Sequence, residues 1–245
     1  MDGFSWDAAY HSDLQGLYAL LVVPLAFLAW RAAVPVDASR AAEPEAAGFV
    51  ARLTLFFAVA TMIDPICTGP LVRLPTLADT IATTIVPLFF VLLGDLRVLL
   101  LAIGVARPDR SFDRNLGWAA GTTLIVPIAA GTLYAIARLL WPDLHGQVLW
   151  MIYELGFALL CVFLSRRWLP RSLPGATERQ RYLRSVFGYA TAYYVLWLIA
   201  DLLIVVGGLD LGWAVRMVPN QLYYAFWVPF VYWRFFEPPL SKASA

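Results

Sequence analysis

Four polar residues with chemically useful side chains, Asp64, Glu154, Asp201 and Asn220, are embedded in long apolar runs of this chain. Each falls about two helical turns, ~10 Å, in from the same end of its run. Three carboxyl groups and an amide at one level could hold a cation or carry protons as general acids and bases. Their neighbours narrow the chemistry. Trp150 precedes Glu154 by one helical turn, Trp197 precedes Asp201 by one turn, and Tyr224 follows Asn220 by one turn, with Trp227 a step beyond. That spacing puts ring and polar group on one helix face. Aromatic walls beside carboxyls suit a cation, an aromatic solute, or a reaction passing through a carbocation.

A further pair, Asp95 and Arg97, sits in the apolar stretch Val86-Pro-Leu-Phe-Phe-Val-Leu-Leu-Gly-Asp95-Leu-Arg97. On a helix, residues two apart do not face each other, so these two charges cannot simply neutralise one another. An unpaired charge in hydrocarbon costs at least ~2.5 kcal/mol. Asp95 therefore needs a donor on another helix, and Arg97 needs a carboxylate or the cytoplasmic headgroups. The candidate ligand-binding set is Asp64, Asp95, Arg97, Trp150, Glu154, Trp197, Asp201, Asn220, Tyr224 and Trp227. Of these, Glu154, Asp201 and Asp64 are the candidates for catalysis. Other proline-rich stretches repeat Val-Pro, at Pro24, Pro87, Pro127 and Pro229, and read as separate kinks that each free a backbone carbonyl.

The elements that must position these groups are membrane helices. The chain is 61% hydrophobic and 14% charged, against about 25% charged in a soluble domain, with a mean hydropathy of +0.70. Seven spans are expected, at about 14–33, 50–70, 81–106, 116–140, 147–165, 185–207 and 213–236, forming an all-α, single-domain bundle. Arg166 to Arg184 reads as the longest basic loop. Arginines crowd the segments after spans one, three and five (Arg31, Arg40, Arg52, Arg107, Arg110, Arg114, Arg166, Arg167, Arg171, Arg179, Arg181, Arg184), joined by Arg234 and Lys242 at the C-terminal end. The other side holds Arg73, Arg138 and Arg216. Cationic loops stay in the cytoplasm, so the N-terminus is expected outside and the C-terminus inside. The Asp2, Asp7, Asp13 start, without a basic residue, is not a signal peptide. Richness in arginine and alanine with one lysine points to a GC-rich bacterial genome, hence a multi-pass protein of the bacterial inner membrane.

Several functions are disfavoured. A net charge of +1 and no basic, aromatic-interleaved stripe argue against nucleic acid as a partner. Cys67 and Cys161 both lie in apolar spans, so no disulfide framework is expected. With His11 and His145 as the only histidines, no metal and no cofactor are expected. No GxSxG motif or Cys–His pair within a span supports a nucleophilic hydrolase.

In length and span count the chain resembles the microbial rhodopsins, but its one lysine, Lys242, lies in the tail rather than in the last span. It resembles integral-membrane terpene cyclases in the same respects. Those use acids in spans two and seven, where this chain has Asp64 and Asn220. Pro219-Asn220-Gln221 resembles the PQ-loop carriers, without their three-helix repeat. None of these likenesses extends to a specific motif. The residues therefore leave three readings: a carrier or binder of a small cationic or apolar ligand in an outward-open acidic cavity, a membrane enzyme acting on a lipid or isoprenoid, or a structural subunit. The lipid bilayer is the one expected partner, and the oligomeric state is left open.

Overall fold

A computed structural model describes residues 4–77 and 80–236. Asp2, Lys242 and the C-terminal tail lie outside the described residues. The chain is 83% helical, without a strand among those residues. A short helix α1 (Trp6–Tyr10) precedes α2 (Leu14–Ala33), α3 (Pro44–Leu71), α4 (Ala82–Ala106), α5 (Phe112–Leu140) and α6 (Gln147–Ser172). Then come α7 (Thr177–Val205) and α8, a continuous helical run over 211–236. Six of these, α2 to α7, are long and apolar enough to cross a membrane, which marks a multi-pass membrane protein. The last helix is not among the six, because tryptophan, tyrosine, proline and arginine dilute its aliphatic content.

The helices start and stop for local reasons. Pro44 opens α3, where its missing N–H costs nothing. Asp113 in the first turn of α5 and Arg138 in the last complement the helix dipole. Between α7 and α8 the chain turns at Gly208, whose φ of +61° is a left-handed conformation that favours glycine. A Cβ on Gly212 would crowd Ala200 O and Ile204, so α8 starts tight against α7. That hairpin is what brings Arg216 opposite Asp201.

Each long helix packs on the next in sequence, and α8 returns against α2 and α3 to close the bundle, while α4 also meets α7. α4 is the most enclosed helix, with 56% of its apolar window buried against 17% for α2 and for α5. The latter two carry their apolar side chains outward, as lipid-facing helices do.

Helix ends differ from the hydropathy expectation at the basic side. α3 begins before Val50, α5 before Leu116, α7 before Ser185, and α6 runs on past Ser165. The expected long loop Arg166 to Arg184 is mostly helical, leaving only 173–176 between α6 and α7. Charged turns such as Thr177-Glu-Arg-Gln-Arg project beyond the apolar run, so hydropathy sees the inserted part of each helix and misses its polar extension.

Candidate functional site

Near the N-terminal end of the bundle lies a cavity of about 210 Å³. α4 contributes Asp95 and Val91, and α6 contributes Trp150, Tyr153 and Glu154. α7 adds Tyr194 and Trp197, α8 adds Arg216, Asn220, Tyr223 and Tyr224, and Tyr10 of α1 completes the wall.

Asp95 has 2% of its surface exposed and is held by phenols from three positions. Tyr153 donates to one carboxyl oxygen and Tyr194 to the other. The Tyr223 hydroxyl lies 3.5 Å from that second oxygen and 3.2 Å from the Val91 carbonyl. Gly94 makes the approach possible, because a Cβ there would overlap the Tyr223 hydroxyl. Phe157 stacks on Tyr194 at 5.1 Å and 11°, which fixes that phenol's direction. The expectation that Asp95 finds its donors on other helices is therefore met in the geometry.

Towards the mouth, Arg216 is the hub. It donates to Asp201 and lies 3.7 Å from Glu154. Its Nε donates to the Tyr10 hydroxyl at 3.1 Å. Asp201 is fully buried and also accepts from Gln147 at 2.9 Å. Asn220, one turn after Arg216, accepts from Trp197 Nε1 at 2.8 Å and donates to the Tyr10 hydroxyl at 3.2 Å. Both ends of its amide are thus engaged. Glu154 differs. It is 3% exposed, and its Oε2 has no hydrogen-bond partner among the described residues. A buried carboxyl oxygen without a donor is costly, so this one marks a place where a donor belongs.

Tyr10 is brought there by the N-terminal segment. Asp210, just before α8, accepts from the Trp6 and Asp7 backbone N–H groups at 2.7 and 3.0 Å and from Ser5 Oγ at 3.1 Å. These bonds, led by Trp6 N–H, hold the Asp210 carboxyl below the usual aspartate range. Trp213 packs against Tyr10 and His11 at 5.1 and 4.9 Å.

Of the four residues expected at one level, Glu154 and Asn220 line this cavity, and Asp201 reaches it through Arg216. Asp64 stands apart. It accepts from Thr68 Oγ1 at 3.3 Å and borders a separate narrow crevice with Arg97, behind the wall made by Tyr223 and Tyr224. Depth along a helix does not say which way a side chain faces, and α3 turns Asp64 to the far side of that wall.

Arg97 also departs from expectation, because it has no ion pair with a carboxylate among the described residues and is enclosed within the bundle. It is 2% exposed, donates to the Tyr223 carbonyl, and lies between the Tyr223 and Trp227 rings at 4.2 and 4.6 Å. The reason is the π-helical turn 221–226 of α8, flanked by Pro219 and Pro229. Such a turn frees carbonyls. Leu222 O takes the Tyr189 hydroxyl at 2.9 Å, and Tyr223 O takes Arg97. Trp227, fully buried against Phe57 at 6.2 Å, belongs to this inner seat and not to the cavity wall.

Arg216, Tyr10, Tyr153, Tyr194 and Tyr223 escape the sequence reading. Arg216 looks like one of a few outer-side arginines, and the phenols look like membrane-interface residues. One signal was present: adjacent aromatic residues recur at Tyr193-Tyr194 and Tyr223-Tyr224 on helices that also carry Asp201 and Asn220. No protein-family model, curated protein or solved structure matches this chain.

Proposed function

We propose that the cavity binds a small cation bearing an N–H donor, and that the protein is a carrier or binder of such a solute. The observation that carries this reading is the Glu154 Oε2, unpartnered among the described residues and buried in an aromatic-walled space lined by two carboxyl groups and one guanidinium that Asp201 already pairs. An ammonium or guanidinium group would supply the missing donor, and the faces of Trp150, Trp197 and Tyr224 would attract its charge. We further take 211–236 as a seventh span, with the N-terminus outside and the C-terminus in the cytoplasm of a bacterial cell. The arginine asymmetry supports that orientation, and it opens the cavity mouth outward. Alkaline phosphatase fused at His145 should then be active, and fused at Gly175 inactive. The reverse pair of results would turn the mouth to the cytoplasm.

Benzylammonium, benzyl alcohol and benzoate form a probe series of one shape and three charges. In detergent, benzylammonium should raise the unfolding temperature and quench tryptophan fluorescence, while benzoate does neither. Stabilisation by benzyl alcohol equal to that by benzylammonium would remove the cation from the account. Uptake of the stabilising probe into proteoliposomes separates a carrier from a binder.

A second reading has its own observation. Asp95 sits at the end of an aromatic pocket with both oxygens accepting from phenols, an arrangement that favours the carboxylate and would let it act as a general base on an isoprenoid or other lipid. Here turnover of lipid would be lost in Asp95→Asn while benzylammonium binding through Glu154 persists.

A further inference from the structure

A second, larger concavity of about 730 Å³ lies at the opposite, arginine-rich end of the bundle. It forms because α3 and α5 both pack against α4 but make little contact with each other, leaving a groove over the C-terminal half of α4. Its floor is aliphatic, with Leu93, Leu96 and Leu100, and Phe56 forms an exposed flank. Gly104 sets the depth at the polar end, since a Cβ there would overlap the Phe49 ring.

That polar end holds two cations with nothing to bind. Arg52 of α3 and Arg110, just before α5, border the groove, and neither guanidinium has an ion-pair or hydrogen-bond partner among the described residues. One carboxylate, Glu45, shares the rim, so the charge there is one positive in excess. The third observation is Asn115. It is 4% exposed and borders the groove, its Nδ2 donates to the Arg107 carbonyl at 3.2 Å, and its Oδ1 has no partner among the described residues. A buried amide oxygen left without a donor beside two free guanidinium groups defines a head-group site, with donors for a phosphate and an acceptor for a hydroxyl. The aliphatic floor running from it towards mid-membrane matches an acyl chain.

We propose that this groove is a binding site for an anionic phospholipid whose head group carries a free hydroxyl, of the phosphatidylglycerol kind. The phosphate lies between Arg52 and Arg110, the head-group hydroxyl donates to Asn115, and one chain follows Leu100, Leu96 and Leu93. The site is independent of the outer cavity and of whatever that cavity binds. At this end of the bundle the arginines face the leaflet that the positive-inside asymmetry assigns to the cytoplasm, where acidic lipids and cationic side chains meet.

Native mass spectrometry of the full chain, released from micelles doped with equal phosphatidylglycerol and phosphatidylcholine of the same chains, tests this directly. Wild-type protein should retain one phosphatidylglycerol at least tenfold over phosphatidylcholine. The double variant Arg52→Gln/Arg110→Gln should lose that preference, and Asn115→Leu should reduce it without abolishing it. Inorganic phosphate at millimolar concentration should not displace the lipid, because it lacks the chain. Equal retention of the two lipids by wild type, an unchanged preference in the double variant, or full displacement by phosphate would each overturn the proposal. The wild-type comparison stands even if a variant fails to fold.

Discussion

Two arginines inside this bundle, Arg97 buried and Arg216 half-buried, divide it into regions of opposite character. Arg97 is enclosed. Its charge rests on a backbone carbonyl and two ring faces, in a seat closed by Trp227 and Phe57. Arg216 lies in a cavity and is shared among Asp201, Glu154 and Tyr10, with a carboxyl oxygen beside it still unmet. The same side chain therefore serves two ends. Where ring faces and a carbonyl enclose it, it fixes a helix that a wide turn would otherwise leave with a bare carbonyl. Where a cavity borders it, the region has room for a ligand. An enclosed arginine is a structural joint, and an arginine bordering a cavity lies at a place to bind.

The sharpest way to break the comparison is at Gly94, on which the inner seat depends. Gly94→Ala would force Tyr223 off Val91 O and Asp95 and disturb the ring over Arg97, costing about 3 kcal/mol. A large drop in unfolding temperature and folded yield is expected. An unchanged unfolding temperature would mean that Tyr223 does not cross α4 as described. Arg97→Leu should cost somewhat less, about 2 kcal/mol, from the stranded Tyr223 carbonyl. Tyr10→Phe removes the hydroxyl that joins Arg216 to Asn220 and should cost about 1 kcal/mol or less. In that variant, hydrogen exchange of residues 5–11 should quicken while the inner helices keep their protection.

How far this division could be read from sequence depends on the residue. The helices themselves were legible, since apolar length is a property of the chain alone. So was the need of Asp95 for partners on other helices, because an isolated charge in hydrocarbon is untenable whatever surrounds it. The partner of Arg97 is not legible in the same way. A carboxylate or a headgroup is the obvious partner, and the π-helical turn that offers Tyr223 O instead depends on how Pro219 and Pro229 pack. Asp64 was grouped with Glu154 on depth, but helix rotation, which separates them, is set by contacts across the bundle. The role of Arg216 is invisible in the sequence because it comes from the tight Gly208 turn that folds α8 back along α7.

The smallest effect concerns pH. Asp210 lies below the ordinary aspartate range because it accepts three hydrogen bonds from the N-terminal segment. A depressed carboxyl stabilises the docked segment fully above that ordinary range, and the contribution fades as pH falls through the lowered folded value. Residues 5–11 should therefore stay docked at neutral and mildly acidic pH and loosen only in strong acid. Asp210→Asn should loosen them at every pH. Loosening of the wild-type segment between pH 5 and 7 would contradict the bond set.

The most direct test of the two-region account is the unfolding temperature of Glu154→Gln and Arg97→Leu, each measured with and without benzylammonium. Glu154→Gln keeps the side-chain size and should leave the ligand-free temperature within a degree or two of wild type, while the benzylammonium-induced rise disappears. Arg97→Leu should show the reverse, a clearly lower ligand-free temperature with the induced rise preserved. If Glu154→Gln keeps the full rise, or if Arg97→Leu loses the rise with no change in the ligand-free temperature, the outer cavity is not the cation site and the division fails.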